Sequence, residues 1–147
     1  MSLGTIFIQL ADGMVTTVGI FVLTLIFSLP FGMVLVFGRK SKSVILRNVV
    51  CVYNSIMRGT PLMLQLLVVY FGPYYLFKIP VSSTYRGYAV IIAFSLNYAA
   101  YFCEIYRSGI DSMPKGQYEA ADVLGYSHVQ RFFKIILPQV AKRILPS

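Results

Sequence analysis

Charged side chains interrupt the apolar stretches of this chain at a few positions. Arg58 lies within one apolar stretch, and Glu104 and Arg107 lie at the end of another. Glu104 and Arg107 are three residues apart and therefore share one face of a helix, where an ion pair lowers the cost of placing either charge in apolar surroundings. The pair is expected to be structural, with a contact to a polar solute as the alternative.

Covalent chemistry has little support in the sequence. His128 is the single histidine, and Cys51 and Cys103 lie in or beside apolar segments, where a free cysteine behaves as a small hydrophobe. No spacing is typical of metal ligands or of a nucleophile with its base. We therefore expect no catalytic residue, no metal site and no bound cofactor.

Composition points to a bilayer as the solvent of this chain. Of its 147 residues, 57% are hydrophobic and only 12% are charged, which is too apolar for a soluble domain of this size. The formal charge of +8 lies beside the apolar stretches instead of forming a patch, as membrane topology favours. We expect membrane lipid, and no nucleic acid, as a partner.

The uncharged runs predict an all-α, polytopic membrane protein with one domain over residues 1–147. A helix needs about 20 apolar residues to cross a membrane. The predicted spans cover about 13–38, 48–77 and 87–106.

Pro61 predicts an interruption of the second span at 58–61, with Thr60 able to cap the segment that follows. One interpretation is a kinked helix whose Arg58 reaches toward the membrane interface. The other is a discontinuous helix whose exposed end faces a solute pathway.

Polar residues of the second and third spans are candidates for such a pathway. For Asn97, Tyr98 and Tyr101, interhelical hydrogen bonding is the competing interpretation. The candidates are Arg58, Thr60, Gln65, Asn97, Tyr98, Tyr101, Glu104 and Arg107.

Orientation follows from the distribution of lysine and arginine, which favour the cytoplasmic side. Lys and Arg cluster at 39–47 and again after residue 107, whereas Lys78 and Arg86 lie in the connection before the third span. The N-terminus is therefore expected to be extracytoplasmic and the C-terminal third cytoplasmic.

Residues 112–138 are too polar to span a membrane but have clear helix signals. Ser112 and Pro114 predict the start of a short helix, and Gly125 predicts its end and a hinge. Ser127 and Gln130 have the spacing of a capping box, which would begin a second helix running up to Pro138. Taken alone, such a pair could also lie on the inner leaflet as an interfacial unit.

This segment carries a motif of Glu119-Ala120-Ala121, three residues, Gly125, nine residues, Ile135, one residue and Leu137-Pro138. The motif resembles that of the permease subunits of bacterial ATP-binding-cassette importers. Arg58-Gly59-Thr60-Pro61-Leu62, with Gln65 and the Tyr70-Phe71-Gly72 run after it, is similar to the polar amino-acid permeases of that superfamily.

The resemblance implies a five-helix permease core in the bacterial inner membrane. It implies a second permease subunit, identical or different, a cytoplasmic ATPase dimer and an extracytoplasmic amino-acid-binding protein. Because this chain has no Gly-x-x-x-x-Gly-Lys loop, ATP hydrolysis would belong to the partner. The resemblance implies that the ATPase is met by Gly116, Glu119, Ala120, Ala121, Gly125, Ile135, Leu137 and Pro138.

Other interpretations stay open. The substrate could be another class of solute carried by the same superfamily, or the chain could belong to a channel or a secondary transporter, since polar residues within spans suit any conduit. Family members continue beyond the motif with two further spans, so we also expect this chain to be a truncated or partial permease.

Overall fold

The computed structural model describes residues 3–80 and 82–146, and within these ranges the chain forms helices without strands, which confirms the all-α prediction. The helices are α1 (Leu3–Arg39), α2 (Val44–Gly59), α3 (Leu62–Phe77), α4 (Ser83–Asp111), α5 (Lys115–Val123), α6 (His128–Arg131) and α7 (Leu137–Ile144), with a π-helical turn at Phe132–Ile136. Helices α1 and α4 are long and apolar enough to cross a membrane, and the pair α2–α3 adds a third span if it crosses as one unit.

Where the sequence predicts an interruption of the span 48–77, as a kink or as a break, the chain forms two separate helices, α2 and α3, bent by 108°. Pro61 directly precedes α3, which has no side-chain cap. The predicted capping of this helix by Thr60 is therefore wrong. The Thr60 hydroxyl instead donates to the carbonyl of Ile56 at 2.8 Å, so it completes the last turn of α2.

Helices α1 and α4 pack through small residues. Ser28 and Gly32 of α1 and Ala99 and Cys103 of α4 are buried at this contact. A Cβ added at Gly32 would lie 2.7 Å from the Cβ of Phe102 and 3.1 Å from the carbonyl oxygen of Ala99. Because backbone atoms cannot move aside as a side-chain tip can, only glycine allows this close approach.

We expect Gly32→Ala to destabilise the folded protein by about 1–3 kcal/mol through overpacking. Gly19→Ala, on the same helix, is the matched control, because nothing lies within 4 Å of a Cβ there. Thermal unfolding of the two variants in the same detergent measures the difference. Equal midpoints for the two variants would contradict the close packing of α1 on α4.

The main core lies where α1 and α4 end, and the C-terminal helices contribute to it. Val36 of α1 and Val50 of α2 meet the last turns of α4 there. Ile136 and Val140 are almost fully buried in the same cluster. The complete set is Val36, Val50, Cys103, Tyr106, Ile110, Met113, Ile136 and Val140.

Helix α5 ends as the sequence predicts. Gly125 has φ +76°, a left-handed conformation that glycine adopts without strain. The amide of Tyr126 donates to the carbonyl of Ala121 at 3.1 Å, and that of Gly125 to Asp122 at 3.0 Å. These two bonds form a Schellman-type ending.

The helix that follows begins as predicted but does not end as predicted. The Ser127–Gln130 capping box is confirmed, since both of its hydrogen bonds are present. The chain stays helical past Pro138 to Ile144. The π-helical turn at Phe132–Ile136 explains this, because its wider winding relieves the clash between a proline ring and the carbonyl four residues earlier.

Candidate functional site

Glu104 of α4 lies at the centre of a charged cluster formed by three helices. Its Oε2 accepts a hydrogen bond from Arg107 Nε at 2.9 Å, and Arg107 Nη2 lies at the same distance. The ion pair predicted from their spacing is therefore confirmed. Arg39 Nε of α1 lies 3.9 Å from Glu104 Oε1, and Arg58 Nη1 of α2 lies 4.0 Å from Glu104 Oε2. We call Glu104 with these three arginines the Glu104 cluster.

Asn54 also binds Glu104, a contact that was not predicted from the sequence. Its Nδ2 donates to Glu104 Oε1 at 2.9 Å and lies 3.3 Å from Cys103 Sγ. The signal for this contact was present, because Asn54 precedes Arg58 by four residues and so shares its helix face. Arg39 was also missed, because its position beside an apolar run made it look like a topology signal only.

A further carboxylate extends the cluster toward the end of α4. Asp111 lies 3.4 Å from Arg107 Nη1 and also pairs with Lys40. Four cations, Arg39, Lys40, Arg58 and Arg107, thus surround two carboxylates. The site keeps a surplus of positive charge, which favours an anionic group.

Two cavities open beside the cluster and share part of their lining. One has a volume of about 330 Å³ and the other about 500 Å³. Arg58, Tyr101 and Glu104 line both, and the Arg58 guanidinium lies over the Tyr101 ring, 5.6 Å from its centroid. Three of the predicted pathway residues are therefore neighbours.

The other amide candidates meet at the break between α2 and α3. Asn97 Nδ2 donates to the carbonyl of Met57 and to Gln65 Oε1, both at 2.9 Å. Gln65 Nε2 donates to the same carbonyl at 2.9 Å and to Thr60 Oγ1 at 2.7 Å. A helix break frees backbone carbonyls, and these side chains satisfy them. Asn97 thus makes the interhelical contacts that were the competing interpretation.

Tyr98 lies apart from both groups. It lines a separate, largely apolar cavity of about 260 Å³ between α1 and α4, together with Thr24 and Phe94. Its ring stands 6.3 Å from that of Tyr101, centroid to centroid.

Side-chain contacts join helix α5 to the helical segment after it. Arg131 pairs with Asp122, lies 2.8 Å from His128 Nδ1 and covers the Tyr118 ring at 5.4 Å from its centroid. The predicted Gly125 hinge is thus spanned by side-chain contacts. We call residues 115–136 the α5–α6 unit.

The alanines of this unit differ in exposure. Ala121 is only 1% exposed and packs inside the protein, unlike its neighbour Ala120. Glu119 and Ala120 are exposed. The same unit also exposes apolar residues that the sequence pattern did not single out, namely Val123, Leu124 and Val129, which are 88%, 72% and 66% exposed.

The remaining motif residues face different surroundings. Gly116 is exposed, with nothing within 4 Å of an added Cβ. Ile135 and Leu137 are half-buried and Pro138 is exposed, on either side of the buried Ile136.

Close packing of α7 on α4 joins the α5–α6 unit to the Glu104 cluster. A Cβ added at Gly109 of α4 would lie 2.6 Å from Ile144 Cγ2 and 2.9 Å from Val140 Cγ1. Arg143 Nη1 also donates to the carbonyl of Ser112 at 2.7 Å. Since Gly109 and Glu104 belong to the same helix, α4 connects this contact with the cluster.

Residues 28–147 match the sequence model of a protein family described as "Binding-protein-dependent transport system inner membrane component". The chain is also 41% identical over 138 residues to a protein of Rickettsia conorii named putative glutamine transport system permease protein GlnP. This match covers 94% of the chain and 62% of the relative.

Two proteins of Bacillus subtilis are similar at 38% identity. They are named L-cystine transport system permease protein TcyB and arginine transport system permease protein ArtQ. The matches cover 93% and 92% of the chain, and 57% and 61% of the relatives. The chain thus spans about three fifths of the length of these relatives.

A solved structure described as an amino acid ABC transporter with histidines has a similar fold. The TM-score is 0.72 at 28% sequence identity, and the match covers 95% of this chain and 67% of the other.

Proposed function

We propose that this chain, which belongs to the family of binding-protein-dependent transport system inner membrane components, is a membrane subunit. The proposed transporter is an ATP-driven importer of polar amino acids. The observation that carries this proposal is the set of relatives named for glutamine, cystine and arginine transport, each matched over more than nine tenths of this chain. In this proposal the chain forms part of the passage for the solute, and a partner subunit hydrolyses ATP.

The α5–α6 unit is the proposed contact with a cytoplasmic ATPase dimer. Glu119 and Ala120 present a carboxylate and a small side chain, and Val123 and Leu124 add apolar surface beside them. An interface commonly combines an apolar centre with charges that fix its register. The contacts of Arg131 with Asp122 and the Tyr118 ring tie α5 to the segment after it, so a movement of the ATPase would be transmitted through the unit instead of absorbed within it.

The proposed assembly has further members. A second permease subunit would complete the solute pathway, and an extracytoplasmic binding protein would deliver the amino acid. The excess of Lys and Arg at 39–47 and after 107 supports a cytoplasmic α5–α6 unit and an extracytoplasmic N-terminus.

The proposed pathway passes the Glu104 cluster. Its two cavities, with volumes of about 330 and 500 Å³, are lined by cations, a carboxylate and a tyrosine, which suit a polar solute better than lipid. The network of Thr60, Gln65 and Asn97 would keep the break between α2 and α3 intact beside the pathway.

Purification of the tagged chain from cells that make the whole transporter tests this proposal. We expect a nucleotide-hydrolysing subunit to co-purify, and proteoliposomes supplied with the binding protein to take up glutamine, arginine or cystine only with ATP inside. Maltose is the control solute and is expected to stay outside. Failure to recover an ATPase would contradict the importer assignment, and uptake of maltose alone would contradict the substrate class.

A further inference from the structure

Arg58 is a cation without a full complement of partners. A guanidinium carries five N–H donors, yet that of Arg58 makes no hydrogen bond to residues 3–80 and 82–146. Its nearest carboxylate atom, Glu104 Oε2, lies 4.0 Å away, and its side chain is 46% exposed. Arg107, by contrast, contacts the same oxygen at 2.9 Å. Arg58 is thus held more loosely than Arg107.

Glu104 does not depend on Arg58 for neutralisation. Arg107 contacts its Oε2 through two nitrogen atoms, and Asn54 donates to its Oε1. The Glu104 side chain is 17% exposed, so one side of it remains open. Separating Arg58 from Glu104 would therefore leave the carboxylate paired and would free the guanidinium for another anion.

The gap between these two groups lies where the two cavities meet. Arg58, Glu104 and the Tyr101 ring line the cavities of about 330 and 500 Å³ alike. A solute in either cavity meets a cation and a carboxylate side by side, with an aromatic face beneath the cation. This arrangement presents opposite charges 4.0 Å apart.

We propose that the zwitterionic backbone of an amino acid inserts between Arg58 and Glu104. Its carboxylate would take the Arg58 guanidinium through two parallel hydrogen bonds, and its ammonium would replace Arg58 beside Glu104. The exchange adds no net charge to a partly buried site, which keeps the cost of desolvation low. The inference rests on the proposed function and assigns the substrate-recognising residues within it.

The proposed site binds only the ammonium and carboxylate groups that all α-amino acids share. Because both cavities adjoin the gap, the side chain of the solute is left free to occupy either of them. The geometry therefore favours recognition of the zwitterion with tolerance toward the side chain.

Ligand-observed saturation-transfer NMR on the detergent-purified transporter, without binding protein and without ATP, tests this inference. The probes are glycine, acetate and methylammonium, which carry both charges, the carboxylate alone and the ammonium alone. We expect glycine to bind more tightly than either of the others. Arg58→Gln is expected to weaken glycine binding about tenfold, the size of effect that one charged hydrogen-bonded contact gives.

Arg47→Gln is the matched control. It removes an exposed cation from the same helix, α2, but Arg47 lines neither cavity. We expect its glycine affinity to stay within about threefold of the unmodified protein, because the charge lost is exposed and outside the gap. Arg58→Lys keeps the charge but loses the two parallel donors of the guanidinium, and its affinity is expected to fall between those of Arg47→Gln and Arg58→Gln.

Three outcomes would overturn the inference: glycine binding no tighter than acetate, equal losses in Arg47→Gln and Arg58→Gln, or unchanged affinity in both Arg58 variants. The binding measurement needs no transport. A transporter that binds glycine as expected but shows no ATP-driven uptake would contradict the proposed function and leave this site standing. ATP-driven uptake without the expected order of binding affinities would contradict this site and leave the proposed function standing.

Discussion

Replacing Glu119 with lysine is expected to abolish ATP-driven uptake while the protein still folds and enters the membrane. Glu119 is exposed on α5, and its side chain has no ion pair or hydrogen bond among residues 3–80 and 82–146, so the change breaks no side-chain contact there. In the proposed complex it reverses the charge at the ATPase contact, and loss of a charged pair at an interface costs about 2–5 kcal/mol. Uptake by proteoliposomes and ATPase co-purification measure the effect.

Asp12→Lys is the control for this charge reversal. It makes the same change in net charge at an exposed carboxylate of α1, far along the chain from the α5–α6 unit. We expect it to leave uptake and co-purification unchanged, and Glu119→Gln to give an intermediate loss. Coupled uptake at the normal rate in Glu119→Lys would remove Glu119 from the mechanism.

Local sequence rules predicted the features that depend on neighbouring residues. The Glu104–Arg107 ion pair follows from a spacing of three on one helix, and the Ser127–Gln130 capping box follows from the same spacing at a helix start. Gly125 ends α5 because its backbone adopts a positive φ. Each of these depends on geometry within one helix or one turn.

Features that depend on contacts between helices were not predictable in this way. Ala120 and Ala121 look equivalent in the sequence, but successive helix residues point about 100° apart, so one faces solvent and the other the core. Arg39 reaches Glu104 only because α1 ends beside α4. Which face of a helix is buried follows from packing, and the sequence alone does not fix it.

The two prolines Pro61 and Pro138 show the same limit. Both remove an amide donor, yet the helix breaks before the first and continues through the second. At Pro61 the freed carbonyl of Met57 finds Gln65 and Asn97 as donors. At Pro138 the buried Ile136 and Val140 hold the helix against the core, and a π-helical turn absorbs the ring.

A second large effect is expected at Gly109, where a leucine should separate α7 from α4. Its side chain would overlap Val140 and Ile144, whose nearest methyl carbons lie only 2.9 and 2.6 Å from an added Cβ. Both methyl groups are attached to branched Cβ atoms, so they cannot swing aside as a flexible tip can. Overpacking of this kind costs about 1–3 kcal/mol or more, and the helix contact is expected to open.

Gly109→Leu should therefore give a phenotype distinct from that of Glu119→Lys. The α5–α6 unit keeps its surface, so the ATPase still co-purifies and hydrolyses ATP, but movement of the unit no longer reaches α4 and uptake is lost. Gly87→Leu is the matched control on the same helix, because nothing lies within 4 Å of a Cβ there and leucine favours helix. Normal uptake in Gly109→Leu would show that force reaches the Glu104 cluster by another route, whereas loss of the ATPase would place Gly109 in docking instead of transmission.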